Sequence, residues 1–241
     1  SLSGNIPSAP LYSKDTTGRW ECFHFTSMEN PYINKTALAE IQEDMTALAY
    51  KQEIMAEDVD EAPGALWKWD TIEALRVDVA PPLSQIMVGL DPSATSTGDE
   101  CGIIVAGRDE HNHYYVLEDV TLQGAPMQWA QAAIAAYYRH NANSIVYETN
   151  QGGEMVRQTL DTAGDAHCVP VFASRGKYTR AEPISLLTEQ GRIHHVGKFP
   201  KLESELCLWE PGGPSPNRLD AFVWAITKLK EGARSGAAVV Y

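Results

Sequence analysis

Three carboxylates stand where elements of structure are expected to end or begin. Asp91 closes the run QIMVGLD (85–91), Glu148 lies near the end of SIVYET (144–149), and Asp220 opens the apolar-striped SPNRLDAFVWAITKL (215–229). Acids brought together with no cation between them repel, and their pKa values rise. Such a group is stable around hard divalent cations, and Mg²⁺ or Mn²⁺ takes oxygen ligands of this type. Two ions about 3.5–4 Å apart activate a water and stabilise the leaving oxygen of a phosphodiester. In that chemistry Asp91 bridges the ions, Glu148 and Asp220 complete one side each, and Asp99 is an auxiliary fourth acid.

Each acid also has a plain structural role open to it. An acid where a strand meets a loop is common. Asn217 is suited to cap the last helix, which puts Asp220 in the first turn, where a negative charge complements the helix dipole. The pattern carries weight only if the fold brings the three together.

Alternation in β-type runs places Met87, Gly89 and Asp91 on one face of the first strand, with Ile86, Val88 and Leu90 on the other. Gly89 is expected to leave open space beside the acid. Further strands are expected at CGIIVAGRD (101–109), HYYVLEDVTL (113–122), SIVYET and CVPVFAS (168–174). Helices are expected at 126–140, 152–164, 179–191, in a turn at KLESELCLW, and in the final segment from Asn217. Three antiparallel-connected strands followed by α-β-α-β-α predict a mixed five-stranded sheet flanked by helices, the order of a ribonuclease H-like fold. If the first and fourth strands are parallel neighbours, Asp91 and Glu148 emerge at the same sheet edge, and the last helix can carry Asp220 across it.

The composition changes near Pro81. Before it, WECFHFTS (20–27) alternates like a strand, Asn34 is a good helix cap, and LWKWDTIEAL reads as an aromatic-rich connector. Residues 1–80 are therefore grouped as a partial segment, 81–230 as the main domain, and 231–241 as a flexible tail. The four cysteines include no CxxC pair, which argues for core thiols and against a zinc site or disulfide framework. Ser1 in place of Met suggests a piece of a longer chain. No apolar run is long enough for a membrane-spanning helix.

Net charge is −13, which counts against a protein that grips DNA over its whole surface. The bases nevertheless cluster: Arg175, Lys177, Arg180, Arg192, Lys198 and Lys201 face only Glu182 and Glu189 between 171 and 201. The adjacent His194 and His195 project to opposite faces of an extended segment, so they cannot share one ion.

Four stretches, GLDPSATSTGDECGIIVAG, VYETNQGGEMV, GKYTRAEPISLLTEQGRIHHVG and SPNRLDAFVWA, resemble in order the motifs of the nuclease domain of tailed-phage large terminase subunits. FHFTSMENPYI and YKQEIMAEDVDEAPGALW resemble the segment joining the terminase ATPase to its nuclease. The resemblance implies a metal-dependent endonuclease that cuts concatemeric double-stranded viral DNA in the host cytoplasm during packaging. It places the acid triad on Asp91, Glu148 and Asp220, and it implies Lys177, Arg180 and Arg175 as contacts to the DNA backbone. Its implied partners are DNA, the ATPase domain, the portal protein and the small terminase subunit. No GxxxxGK[ST] phosphate loop occurs in this chain, so ATPase activity is not expected of it. Two other readings use the same features: a non-catalytic docking module with an acidic surface, and a resolvase or hybrid nuclease with the same metal chemistry.

Overall fold

The computed structural model describes residues 27, 30–36, 62, 64–92, 100–150, 152–210, 212–213 and 216–236. The chain divides into two compact units, 1–60 and 61–241. In the first unit, Asn34 Oδ1 accepts a hydrogen bond from the Thr36 backbone at 2.9 Å, the expected cap of a helix beginning at residue 35. The expected strand before it, over 20–26, lies outside the described residues.

The second unit is built on a sheet of β1 (Gln85–Asp91), β2 (Glu100–Arg108), β3 (Tyr114–Asp119), β4 (Leu122–Gln123), β5 (Ser144–Glu148), β6 (Cys168–Val171) and β7 (Ile193–His195). Their order is β6-β5-β1-β2-β3-β7, with β4 paired to β2. β1, β2 and β3 are antiparallel neighbours, whereas β5 and β6 run parallel to β1. The expected five strands are present, and two short ones extend the sheet. β7 is the extended RIHHV segment, drawn into the sheet by parallel pairing with β3. β4 separates from β3 at Val120-Thr121, where the Thr121 hydroxyl accepts the Ile103 N–H at 3.0 Å.

Helices cover both faces. α2 (Pro126–Arg139) and α3 (Gly153–Ala163) lie on the side of Val88, Leu90, Ile103, Val105, Ile145 and Tyr147. α1 (Trp69–Ala74), α4 (Lys177–Glu189), α5 (Pro200–Leu208) and α6 (Asn217–Gly236) pack on the side of Met87, Ile104, Ala106, Val116 and Val146. This alternation is the period-two pattern read from the sequence, with both faces apolar because both are covered. Cys101 and Cys168 belong to one core and Cys207 to the other.

The segment before Pro81 is not a mere connector. Trp67 is fully buried, meets Phe222 of α6 edge-on at 6.0 Å, and donates its indole N–H to Thr188 of α4 at 3.1 Å. Arg76 binds Glu203 of α5 at 2.7 and 3.2 Å, and His195 Nδ1 lies 2.9 Å from the same carboxylate. Burial alone would raise the Glu203 pKa, but these hydrogen bonds bring it down to about 2. These contacts go with the division of the chain, in which the second compact unit begins at Glu61.

Two glycines control how α6 sits. A Cβ on Gly89 would lie 2.0 Å from the Ala221 carbonyl oxygen, and one on Gly102 would lie 2.0 Å from that of Asn217. Gly89 is thus filled by helix backbone and does not leave the open space expected of it. The start of α6 is held by Arg218, whose buried guanidinium binds Asp119 at 3.0 Å, Glu205 at 2.9 Å and Glu100. Asn217 does not cap the helix with its side chain; its amide donates to the Glu100 carbonyl, and the Asp220 N–H bonds the Pro216 carbonyl instead.

Because the obstacle at Gly89 is backbone, it cannot rotate away. Gly89→Ala should lower stability by about 1–3 kcal/mol, read from the urea midpoint. An unchanged midpoint would show that α6 can lift off the sheet freely.

Candidate active site

The parallel register of β1 and β5 runs Gly89 to Val146 and Leu90 to Tyr147. The next step brings Asp91 and Glu148 side by side at the carboxyl ends of the two strands, the edge where open α/β sheets place their sites. α6, lying directly on Gly89, adds Asp220, which is 1% exposed. The three acids therefore come from three elements to one place, as the sequence suggested.

Two cations of α4 face them. Lys177 Nζ lies 2.8 Å from Asp220 Oδ2. Arg180 spans Glu148 and Asp220, 3.5 Å from Glu148 Oε2 and 3.5 Å from Asp220 Oδ1. Positions 177 and 180 are one turn apart and share a face of the helix. The Arg180 guanidinium also stacks 4.6 Å above the Trp224 ring, and Trp224 Nε1 donates to Glu148 Oε2 at 2.8 Å. Trp224 follows Asp220 by four residues, so the same face of α6 presents both.

Burial drives the Asp91 pKa well above its ordinary 3.8, and the negative charges of Asp220 and Glu148 push it further. Lys177 and Arg180 oppose this but do not overcome it. Burial and its two acidic neighbours thus favour the protonated form of Asp91 when no cation is bound. All three donor side chains are carboxylates, the ligand set of a hard divalent ion. Among the described residues no group of three or more His, Cys, Asp or Glu side chains is placed to hold a metal ion as it stands. With Lys177 on Asp220 and Arg180 between Asp220 and Glu148, the protein's own cations take up part of the coordinating capacity.

The other expected residues fall differently. Asp99 lies outside the described residues. Arg175 is exposed, ahead of α4. Lys177 is half-exposed at its side chain, 45%, whereas that of Arg180 is 10% exposed and turned inward. Arg180 thus faces the acids. The spacing held the signal for this, since Arg180, Ala181, Ile184 and Leu187 follow the core-facing stripe of α4. Trp224 and Arg218 were also missed as functional residues. Trp224 could have been found from its four-residue offset to Asp220.

The family profile described as Terminase RNaseH-like domain matches residues 88–229, more than half of the chain and all three acids. The chain belongs to this family. Among solved structures, the HK97 bacteriophage large terminase is 13% identical with a TM-score of 0.55, covering 82% of this chain and 51% of that one. The nuclease domain of the large terminase subunit gp2 of bacterial virus Sf6 is 14% identical with a TM-score of 0.53, covering 67% of this chain and 98% of that one. A third, the large terminase nuclease from thermophilic phage G20c, was solved with bound magnesium; it is 17% identical over 63% of this chain and 84% of that one, with a TM-score of 0.49. No curated protein sequence matches the chain. The terminase domain thus has an RNase H-like fold, spanning nearly all of an isolated terminase nuclease and about half of a whole large terminase. Among its described residues no helix is long and apolar enough to cross a membrane.

A raised Asp91 pKa means that the folded protein binds this proton more tightly than the unfolded chain does. Its contribution to stability is full below 3.8 and is lost as pH rises through the raised value. In the presence of chelator, the melting temperature of the wild type should therefore fall relative to that of Asp91→Asn as pH rises above about 4. Parallel curves would show that Asp91 ionises normally.

Proposed function

We propose that this terminase domain is a metal-dependent DNA endonuclease of the viral genome-packaging motor, cutting concatemeric double-stranded DNA. The observation that carries the reading is the convergence of Asp91, Glu148 and Asp220 from β1, β5 and α6, where burial first and then the other two acids raise the proton affinity of Asp91. These three side chains would hold two Mg²⁺ or Mn²⁺ ions, with Asp99 as an auxiliary acid. When bound, the ions supply an activated water and stabilise the leaving oxygen of the phosphodiester.

The chain's own contributions are geometric and electrostatic. The β1–β5 register fixes two acids, and α6 fixes the third against backbone that cannot yield. Lys177 holds Asp220 but keeps a half-exposed stem, so a stronger cation can displace it and free its charge to meet a phosphate. Arg175 extends the positive surface ahead of α4. Such phosphate contacts are independent of sequence and sensitive to salt. In the full-length protein the partners would be the ATPase domain, portal protein and small terminase subunit, working in the bacterial host cytoplasm. Residues 1–60 would then derive from the ATPase end and linker.

Purified protein should linearise plasmid in Mn²⁺ or Mg²⁺. Asp91→Ala and Asp220→Asn should bring cleavage down to that of a chelated control while leaving the far-ultraviolet circular dichroism unchanged. Equal cleavage by wild type and both variants would overturn the reading. Preferential cutting of four-way junctions or RNA–DNA hybrids over duplex would redirect the substrate.

A further inference from the structure

Arg180 and Trp224 both touch the acid site, yet neither resembles a group that leaves it. The Arg180 side chain is nine-tenths buried, and its Nε is buried with no hydrogen-bond partner among the described residues. Its charge is permanent, because a guanidinium does not deprotonate in proteins. It stands 3.5 Å from one oxygen each of Glu148 and Asp220, so it measures the gap between them. Its flat face rests on Trp224 at 4.6 Å, a stacking that fixes the plane of the fork. Trp224 in turn donates its indole N–H to Glu148 Oε2 at 2.8 Å. Both contacts fall on the same carboxylate oxygen, which leaves Oε1, among the described residues, clear for a cation.

Lys177 provides the contrast. It makes one short ion pair with Asp220 from a flexible, half-exposed stem. A flexible ammonium is easily exchanged, whereas a stacked, buried guanidinium stays in place.

We propose that Arg180 and Trp224 are a positioning pair, which sets the orientation of Glu148 and its spacing from Asp220 for metal binding. This assignment rests on the nuclease reading above. It differs from the expectation that Arg180 grips the DNA backbone, and it gives Trp224 a part beyond filling the core. Lys177 is the displaceable cation of the site, and Arg180 is the permanent one. The pair acts through the acids, in the way that outer partners orient metal ligands elsewhere.

Three variants of the whole chain separate the possibilities. Trp224→Phe keeps a ring face and removes the N–H; Arg180→Lys keeps the charge and removes the fork; Arg180→Gln removes the charge. Calorimetric titration with Mn²⁺, without DNA, should show affinity lowered by about 10–100-fold in Trp224→Phe and Arg180→Gln. Arg180→Lys should recover only part of the loss. In cleavage assays kcat should fall while KM for duplex DNA stays near the wild-type value. The salt dependence of DNA binding in chelator should be unchanged in Arg180→Gln, because no phosphate contact is lost. A salt slope reduced by about one, with Mn²⁺ affinity intact, would overturn the proposal and restore Arg180 as a DNA contact. Unaltered Mn²⁺ affinity in folded Trp224→Phe would also overturn it. A wild type that binds no Mn²⁺ would instead overturn the metal reading on which the proposal stands.

Discussion

The arrangement depends on one close approach, that of the α6 backbone to the strands beneath it. Where a helix packs on a sheet, the side chains of both layers ordinarily hold the two backbones apart. At Gly89 and Gly102 no side chain intervenes, and carbonyl oxygens of α6 fill the places where a Cβ would be. This brings the first turn of the helix down to the level of the strand ends, where Asp91 and Glu148 emerge. Arg218 holds that turn from the other side through three carboxylates on β2, β3 and α5. Such a buried multiple ion pair is costly to desolvate and adds little stability for its size. Its directional bonds fix the start of α6 in both translation and rotation.

The position fixed in this way is electrostatically unfavourable. Three acids meet there, and burial together with their mutual repulsion raises the proton affinity of Asp91. The protein tolerates it by placing two cations opposite, on one face of α4. Their burial differs sharply, and so do the roles open to them. One is anchored by an aromatic ring, and the other is tethered only by a flexible stem. The same turn of helix thus supplies both a fixed charge and an exchangeable one.

Much of this was legible in the sequence. Strand alternation placed Asp91 on the same face as Gly89 and Met87, and that face carries α6. The parity of Glu148 with Val146 was equally readable, and the β1–β5 pairing made it significant. What could not be read depended on long-range packing. Gly89 looked like open space because nothing local shows what lies across from a missing side chain. Asn217 looked like a cap because local chemistry favours one, but the amide found a carbonyl at the start of β2 more than a hundred residues away. β7 is three residues long and has no periodicity to reveal it; only its pairing with β3 makes it a strand. Arg180 was read by its charge when its place on the apolar stripe of α4 was the better guide.

Trp67 carries a consequence for where this fold can be divided. The change in composition at Pro81 invites a cut there, but the indole lies against Phe222 and is tied to Thr188, on the two helices that carry the acid Asp220 and the cations Lys177 and Arg180. A chain trimmed to begin at Pro81 would leave a tryptophan-sized void between α4 and α6, at a cost of about 3–5 kcal/mol. The void would loosen the contact between the two helices that set the distance between opposite charges. A piece that keeps this contact therefore begins at or before Trp67, ahead of the break in composition at Pro81.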